Sequence, residues 1–174
     1  MRRIALALAL AVSLTPAISF ASGWRTLSSQ SLGFTVHYPA GWRVTSTSQV
    51  GVRQVSIQQQ GTSYAVTISI LNVRPGRSAA DTVRRFLAFE RRLGEGMFAR
   101  VRWEPSLLGG RASMAGVATP PTEGGVGLSL GVYVAGWRSH IYEVTLLDNH
   151  QPPLHSLGSF PRVYAQIIGS WRFR

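Results

Sequence analysis

The chain of 174 residues contains no cysteine. Without cysteine no disulfide can staple the fold, and export as a lipoprotein, which acylates a cysteine, is excluded. Stability must therefore come from the apolar core, which a domain of about 150 residues is large enough to form. Lysine is absent as well, so all 18 basic residues are arginines.

Long apolar runs are also scarce, and the one present stands at the N-terminus. A Met-Arg-Arg start precedes an apolar stretch over residues 4–17, and Ser19 and Ala21 then form a small-x-small cleavage signature. The stretch is shorter than the ~20 residues of a membrane span. We predict a signal peptide over residues 1–21, a single periplasmic or secreted domain over residues 22–174, and no transmembrane segment after cleavage. A retained N-terminal anchor is the alternative.

The charge balance is strongly basic. The 18 arginines, less two in the leader, leave 16 against seven acids, a net charge of +9. Such a charge favours an acidic protein face, a glycan or a phospholipid surface as partner. The alternative is that the charge serves solubility and reflects a GC-rich genome, which favours arginine codons. Export makes nucleic acid an unsuitable partner.

Alternating apolar and polar residues run through most of the predicted domain, as in residues 34–38 and 63–71, which is typical of half-buried strands. Two segments have helical spacing instead: one runs from a cap at Ser78 to about Leu93, and one covers about residues 160–168. The helices do not alternate with strands, which argues against a parallel doubly wound sheet. We predict an α+β fold, an antiparallel sheet with two main helices packed on it.

The two ends of the predicted domain carry a resemblance. Near its start stands the pattern Phe34-x-Val36-x-Tyr38-Pro39-x-Gly41-Trp42, and at its end a helix with Phe160 and Ile167-Ile168 precedes Ser170-Trp171-x-Phe173. These segments resemble PsbP-like proteins, a family with an α/β/α sandwich fold. The resemblance implies a binding or assembly role rather than catalysis, and it transfers no ligand residue to this chain.

One enzymatic alternative rests on Gly127-Leu128-Ser129-Leu130-Gly131, which matches the Gly-x-Ser-x-Gly pattern of esterases. A nucleophile elbow needs a strand, a sharp turn and then a helix. Here the segment has the alternation of one continuous strand, which favours a structural serine. A small periplasmic hydrolase using Ser129 therefore remains the alternative rather than the leading hypothesis.

A metal site is a second enzymatic alternative. Asp148, His150 and His155 share one loop, and zinc or copper accepts imidazole and carboxylate ligands. All three would have to converge to make a site, so these are weak candidates, and a solvated polar loop is the simpler interpretation. We predict no cofactor and no metal.

Glu90 and four arginines stand out on the first predicted helix. Glu90 falls within the apolar stripe, where a carboxylate must be paired or protonated. It is a functional acid with a raised pKa, half of a buried ion pair with an arginine, or a residue at a helix edge that lies elsewhere than the spacing predicts. Arg84, Arg85, Arg91 and Arg92 flank the same stripe, so they would form a basic ridge on the exposed back of the helix.

The leading hypothesis is an exported, non-enzymatic accessory or interaction protein of the cell envelope that binds an acidic partner through this ridge. A small-molecule carrier with an apolar pocket between sheet and helix is a further alternative. Each of the five tryptophans has an adjacent arginine. Either the tryptophans point inward and the arginines outward, or both together bind an anionic or glycan ligand.

Overall fold

The computed structural model of the chain describes residues 23–93, 97–119, 128–149 and 153–174. The predicted signal peptide lies outside these residues, as do His150 and Gly127. Gly94 and Gly96, one of which is predicted to end the first helix, lie outside them as well. No helix among the described residues is long and apolar enough to span a membrane.

The described residues form ten strands and two α-helices, together with a short 3-10 turn at Leu157–Ser159. The strands are β1 (Trp24–Ser29), β2 (Phe34–Pro39), β3 (Trp42–Gln49), β4 (Val52–Gln59), β5 (Ala65–Leu71), β6 (Glu104–Leu108), β7 (Arg111–Ala118), β8 (Ser129–Trp137), β9 (His140–Asp148) and β10 (Arg172–Phe173). The helices are α1 (Ala79–Arg92) and α2 (Arg162–Gly169).

The strands pair into two sheets. Seven of them form one sheet in the order β3-β4-β5-β9-β8-β7-β6, and the other three form a small sheet in the order β1-β2-β10. Each of these pairings is antiparallel. The α+β class with an antiparallel sheet is thus confirmed. A division into two sheets was not anticipated, because sequence periodicity carries no information on which strands pair.

One face of the large sheet is covered by α1, and the other face is covered by the small sheet and α2. Alternate residues of β5 such as Val66 and Ile68 pack with Phe34 and Trp171 of the small-sheet layer and with Ile167 of α2. On the opposite face, apolar side chains of α1 pack against Val132 and Val134 of β8. Period-two alternation thus gives the central strands β5, β8 and β9 two buried faces directed at different layers.

Several element boundaries differ from the sequence expectation. The alternation of apolar residues and arginines over residues 100–103 predicts a strand there, but residues 101–103 belong to no strand and β6 begins only at Glu104. Pro105 is tolerated within β6 because β6 is the edge of the sheet. The position of Ser159 before the second helix predicts that it caps this helix, but α2 begins after Pro161, and Ser159 Oγ lies 2.8 Å from Ser156 Oγ.

Candidate functional site

Local sequence fixes where α1 begins. Ser78 is in the extended conformation, and its hydroxyl accepts a hydrogen bond from the backbone N–H of Asp81 at 3.1 Å, as an N-cap should. Val83 and Phe86 then turn inward, with 5% and 0% of their surface exposed. The helix contacts β7 and β8, so its opposite side is left facing solvent.

The structure places all four predicted arginines of α1 on this solvent side. Arg84 donates to Asp81 Oδ1 at 2.9 Å, and the Arg85 guanidinium lies 3.9 Å from Asp81 Oδ2. Arg91 donates from Nε to the Leu87 carbonyl at 3.2 Å, and Arg92 stands 6.0 Å from the ring centre of Phe89. Arg84 and Arg85 thus share one carboxylate. Arg91 and Arg92 have no carboxylate partner among the described residues: Arg91 meets a backbone carbonyl and Arg92 an aromatic ring.

Asp81 is the carboxylate of this face. Its pKa is held below the ordinary value first by the hydrogen bond from Arg84 and then by the backbone N–H of Arg77, which donates at 3.0 Å. An ionised carboxylate in the first turn also interacts favourably with the helix dipole. Asp81 therefore organises the start of the ridge without cancelling its four positive charges.

Acids and arginines are sorted between interior and surface. Of the five acids within the described residues, three are buried: Glu90, Glu143 and Asp148 are 5%, 9% and 2% exposed. Fifteen of the sixteen arginines in the same part of the chain are exposed, and Arg53 is half-buried. The surface is consequently more cationic than the net charge alone suggests, which favours anionic partners.

Glu90 is buried at the inner edge of α1, where it lines a groove together with Glu143 of β9. Glu143 is engaged locally, because the Thr145 hydroxyl donates to its Oε1 at 2.7 Å. Helical spacing predicts a special position for Glu90, whereas Glu143 was not predicted. Alternation places Glu143 on the face of β9 opposite Tyr142 and Val144, but it does not show that this face is covered.

Of the residues in the enzymatic alternatives, Ser129, Asp148 and His155 lie within the described part of the chain. Ser129 begins β8, is fully buried, and accepts a hydrogen bond from the Leu154 N–H at 2.7 Å. The residues that follow it continue as a strand rather than as the helix that a nucleophile elbow requires. Asp148 ends β9 opposite Ser129 and is 2% exposed, whereas His155 is exposed. Among the described residues no three histidine or acidic side chains are grouped to hold a metal ion.

Some tryptophans point inward, as the first interpretation expects, and others lie at the surface beside an arginine. Trp42 and Trp171 are 8% and 0% exposed, with exposed arginines beside them, so both serve the core. Trp24 is 44% exposed instead. Trp137 stacks under the Arg111 guanidinium, whose carbon lies 3.4 Å from the ring centre. Arg111 belongs to the neighbouring strand β7, and the chain neighbour Arg138 also approaches the ring, with its guanidinium carbon 5.7 Å from the ring centre.

The sequence matches no protein-family model and no curated protein. The fold is similar to that of cyanobacterial PsbP (CyanoP) from Synechocystis, with a TM-score of 0.63 and 13% identity, over 91% of this chain and 96% of that one. It is also similar to a crystal structure from Bacteroides thetaiotaomicron, with a TM-score of 0.56 and 12% identity. That match covers 86% of this chain and 48% of the other, so the present chain spans about half its length.

These likenesses define the class of fold. The chain is an α+β protein with the PsbP-like fold, as the resemblance at its two ends implied. At identities of 12–13% the likeness extends to the fold alone. Function must therefore be argued from the chain's own residues.

Proposed function

We propose that this chain is an exported, non-enzymatic accessory protein of the cell envelope that binds an acidic partner through α1. The observation that carries the proposal is the sorting of charge: arginines lie outside, three of the five described acids lie inside, and four arginines share one helix face. That helix is anchored by its cap and its inner apolar side chains, so the ridge is presented on a rigid element.

Export to the periplasm or beyond the cell supports the choice of partner. The leader pattern of residues 1–21 predicts processing after Ala21. The intact mass of the protein recovered from its own host tests this directly. A chain that begins at Ser22 is expected, and a chain that still carries the apolar stretch would overturn the export part of the proposal.

The acidic partner is tested with two probes, immobilised heparin and vesicles that contain phosphatidylglycerol. Binding should weaken steeply as salt rises, since exposed charges are screened beyond about 10 Å at 0.1 M salt. Vesicles of phosphatidylcholine alone should bind far less protein. Retention that is independent of salt, or absent on both acidic probes, would contradict the proposal.

A matched pair of variants separates the ridge from net charge. One variant changes Arg84, Arg85, Arg91 and Arg92 to glutamine, and the control changes four exposed arginines away from α1 in the same way: Arg25, Arg43, Arg162 and Arg174. Both lose four charges. The ridge variant should elute from heparin at clearly lower salt than the control. Equal losses in both would show that the charge acts without a site on α1.

A further inference from the structure

A groove of about 410 Å³ lies beside the C-terminal half of α1. Its floor belongs to β3, β4, β5 and β9, and its wall to Phe89 and Leu93 of the helix end and to Met97 and Phe98 beyond it. The helix rests on β7 and β8, so this part of the sheet face is not filled by it. The volume is within the range of small-molecule sites.

Strand register makes the floor polar. Thr47 pairs with Gln54, Gln54 with Ser69, and Ser69 with Glu143, so these four side chains stand in one row across four strands. With neighbouring strands about 4.8 Å apart, the row extends for roughly 14 Å. Its next member is Val134, in the apolar cluster under α1. The sheet face therefore changes from apolar to polar where the helix ends.

Two of the three buried acids, Glu90 and Glu143, line the groove. The helix α1 ends beside it at Arg92, and the C-terminal end of a helix carries partial negative charge. None of the described lining residues is an arginine. On a protein whose other faces carry exposed arginines, this concavity is the place that suits a positive group.

The wall supplies apolar surface that remains open to solvent. Leu93 and Met97 are 53% and 50% exposed. They belong to a small set of large apolar side chains that are exposed within the described residues, the others being Trp24, Val50 and Leu107. An apolar rim above a polar floor is complementary to a ligand that has both characters.

We propose that this groove binds a small cationic amphiphile. Its ammonium group would lie over Glu90 and Glu143, hydrogen-bonded to the hydroxyl and amide row, and its apolar body would lie along Leu93 and Met97. None of the four ridge arginines lines this site, although Arg92 lies 6.0 Å from the ring centre of Phe89 in the groove wall, and the ridge prefers the opposite charge. The inference therefore goes beyond the proposed function and does not depend on it.

Three probes with the same tail test the charge preference: hexylammonium, hexyl glucoside and hexanoate, titrated into the full mature protein by calorimetry and by amide NMR. Hexylammonium should bind most tightly and shift the signals of Ser69, Glu143 and Leu93. Equal or tighter binding of hexanoate would overturn the proposal. A preference for hexyl glucoside would show that the floor recognises hydroxyl groups and would also overturn it.

Variants assign the binding to the groove. Glu143→Gln keeps the shape and replaces the carboxyl group by a neutral amide, and it should weaken hexylammonium binding on the order of tenfold. Glu90→Gln should have an effect of the same size. The control is Glu104→Gln, on edge strand β6 and outside the groove, which should leave binding unchanged. Unchanged binding in the first two variants would contradict the role of the acids.

A second variant and its control test the site even if the buried-acid variants fail to fold. Leu93→Ser combined with Met97→Ser changes exposed side chains, so the fold should persist while binding of hexylammonium falls several-fold. Leu107→Ser, equally apolar and 66% exposed on β6, is the control and should bind as the parent does. If both variants bind like the parent, the apolar wall is not a contact and the proposal fails.

Discussion

The phenolic oxygen of Tyr142 stands where a side chain on Gly33 would have to be: a Cβ at Gly33 would lie 2.6 Å from it. Tyr142 belongs to β9 of the large sheet, and its hydroxyl donates to the Leu32 carbonyl at 2.8 Å, in the turn before β2. This hydrogen bond joins the large sheet to the turn of the small one, and Gly33 is what allows the approach.

Gly33→Ala should therefore destabilise the protein. The backbone there has φ +75°, which an alanine adopts at a cost of about 1 kcal/mol, and the new Cβ would displace the Tyr142 hydroxyl and its bond for about 1–2 kcal/mol more. Urea unfolding measures the change. Gly51→Ala is the control, because its φ is +81° with nothing within 4 Å, so it should lose only the backbone part. Equal losses would show that the Tyr142 contact contributes nothing.

The cap of α1 gives a second prediction. Ser78→Ala removes the acceptor of the Asp81 N–H and should cost about 1 kcal/mol of unfolding free energy. Ser46→Ala, at an exposed position of β3, provides the comparison and should change stability by less than about 0.5 kcal/mol. If Ser78→Ala is as neutral as that control, the cap does not determine where the helix begins.

The cap and the strand faces are what the sequence predicted best. Ser78 stands before an apolar stripe of helical spacing, and Val66, Ile68 and Ile70 alternate on one face, so both features depend on near neighbours in the chain. Local patterns of this kind are largely independent of the rest of the fold. The α+β class followed from them.

The groove was not predicted, because its floor exists only once four strands have paired in a particular register. Thr47, Gln54, Ser69 and Glu143 are ordinary polar positions of four separate strands, and only the register of three pairings aligns them. A polar face on consecutive strands is the signal that sequence analysis could have used. The expected carrier pocket was apolar, whereas this groove is polar along one side.

Ser129 provides a prediction that separates structure from catalysis. Ser129→Ala leaves the buried Leu154 N–H without its acceptor, so it should cost about 1–3 kcal/mol of stability. The unmodified protein should not react with a fluorophosphonate probe, because the hydroxyl is buried in that bond. A serine labelled at this position would contradict the structural role and revive the hydrolase alternative.

Tyr164 gives a prediction for alkaline pH. Its hydroxyl accepts from the Ala65 N–H at 3.1 Å and donates to the Leu147 carbonyl, fully buried between α2 and the large sheet. Burial, with the nearby Asp148 charge adding to it, raises the pKa of this phenol above its ordinary value of 10.0. Because the folded pKa exceeds the unfolded one, the stabilisation is complete below pH 10 and declines as pH rises beyond it.

Tyr164→Phe tests both roles of that hydroxyl. At neutral pH the variant should lose about 2 kcal/mol, since two buried backbone groups lose their partner. Above pH 10 its stability should fall less steeply than that of the parent, because one strongly shifted phenol is gone; some slope remains, as burial also raises the pKa values of Tyr133 and Tyr142. Urea midpoints across this range, with tyrosinate absorbance recorded in parallel, measure the slopes. Identical slopes in parent and variant would mean that Tyr164 ionises as readily in the fold as in the unfolded chain.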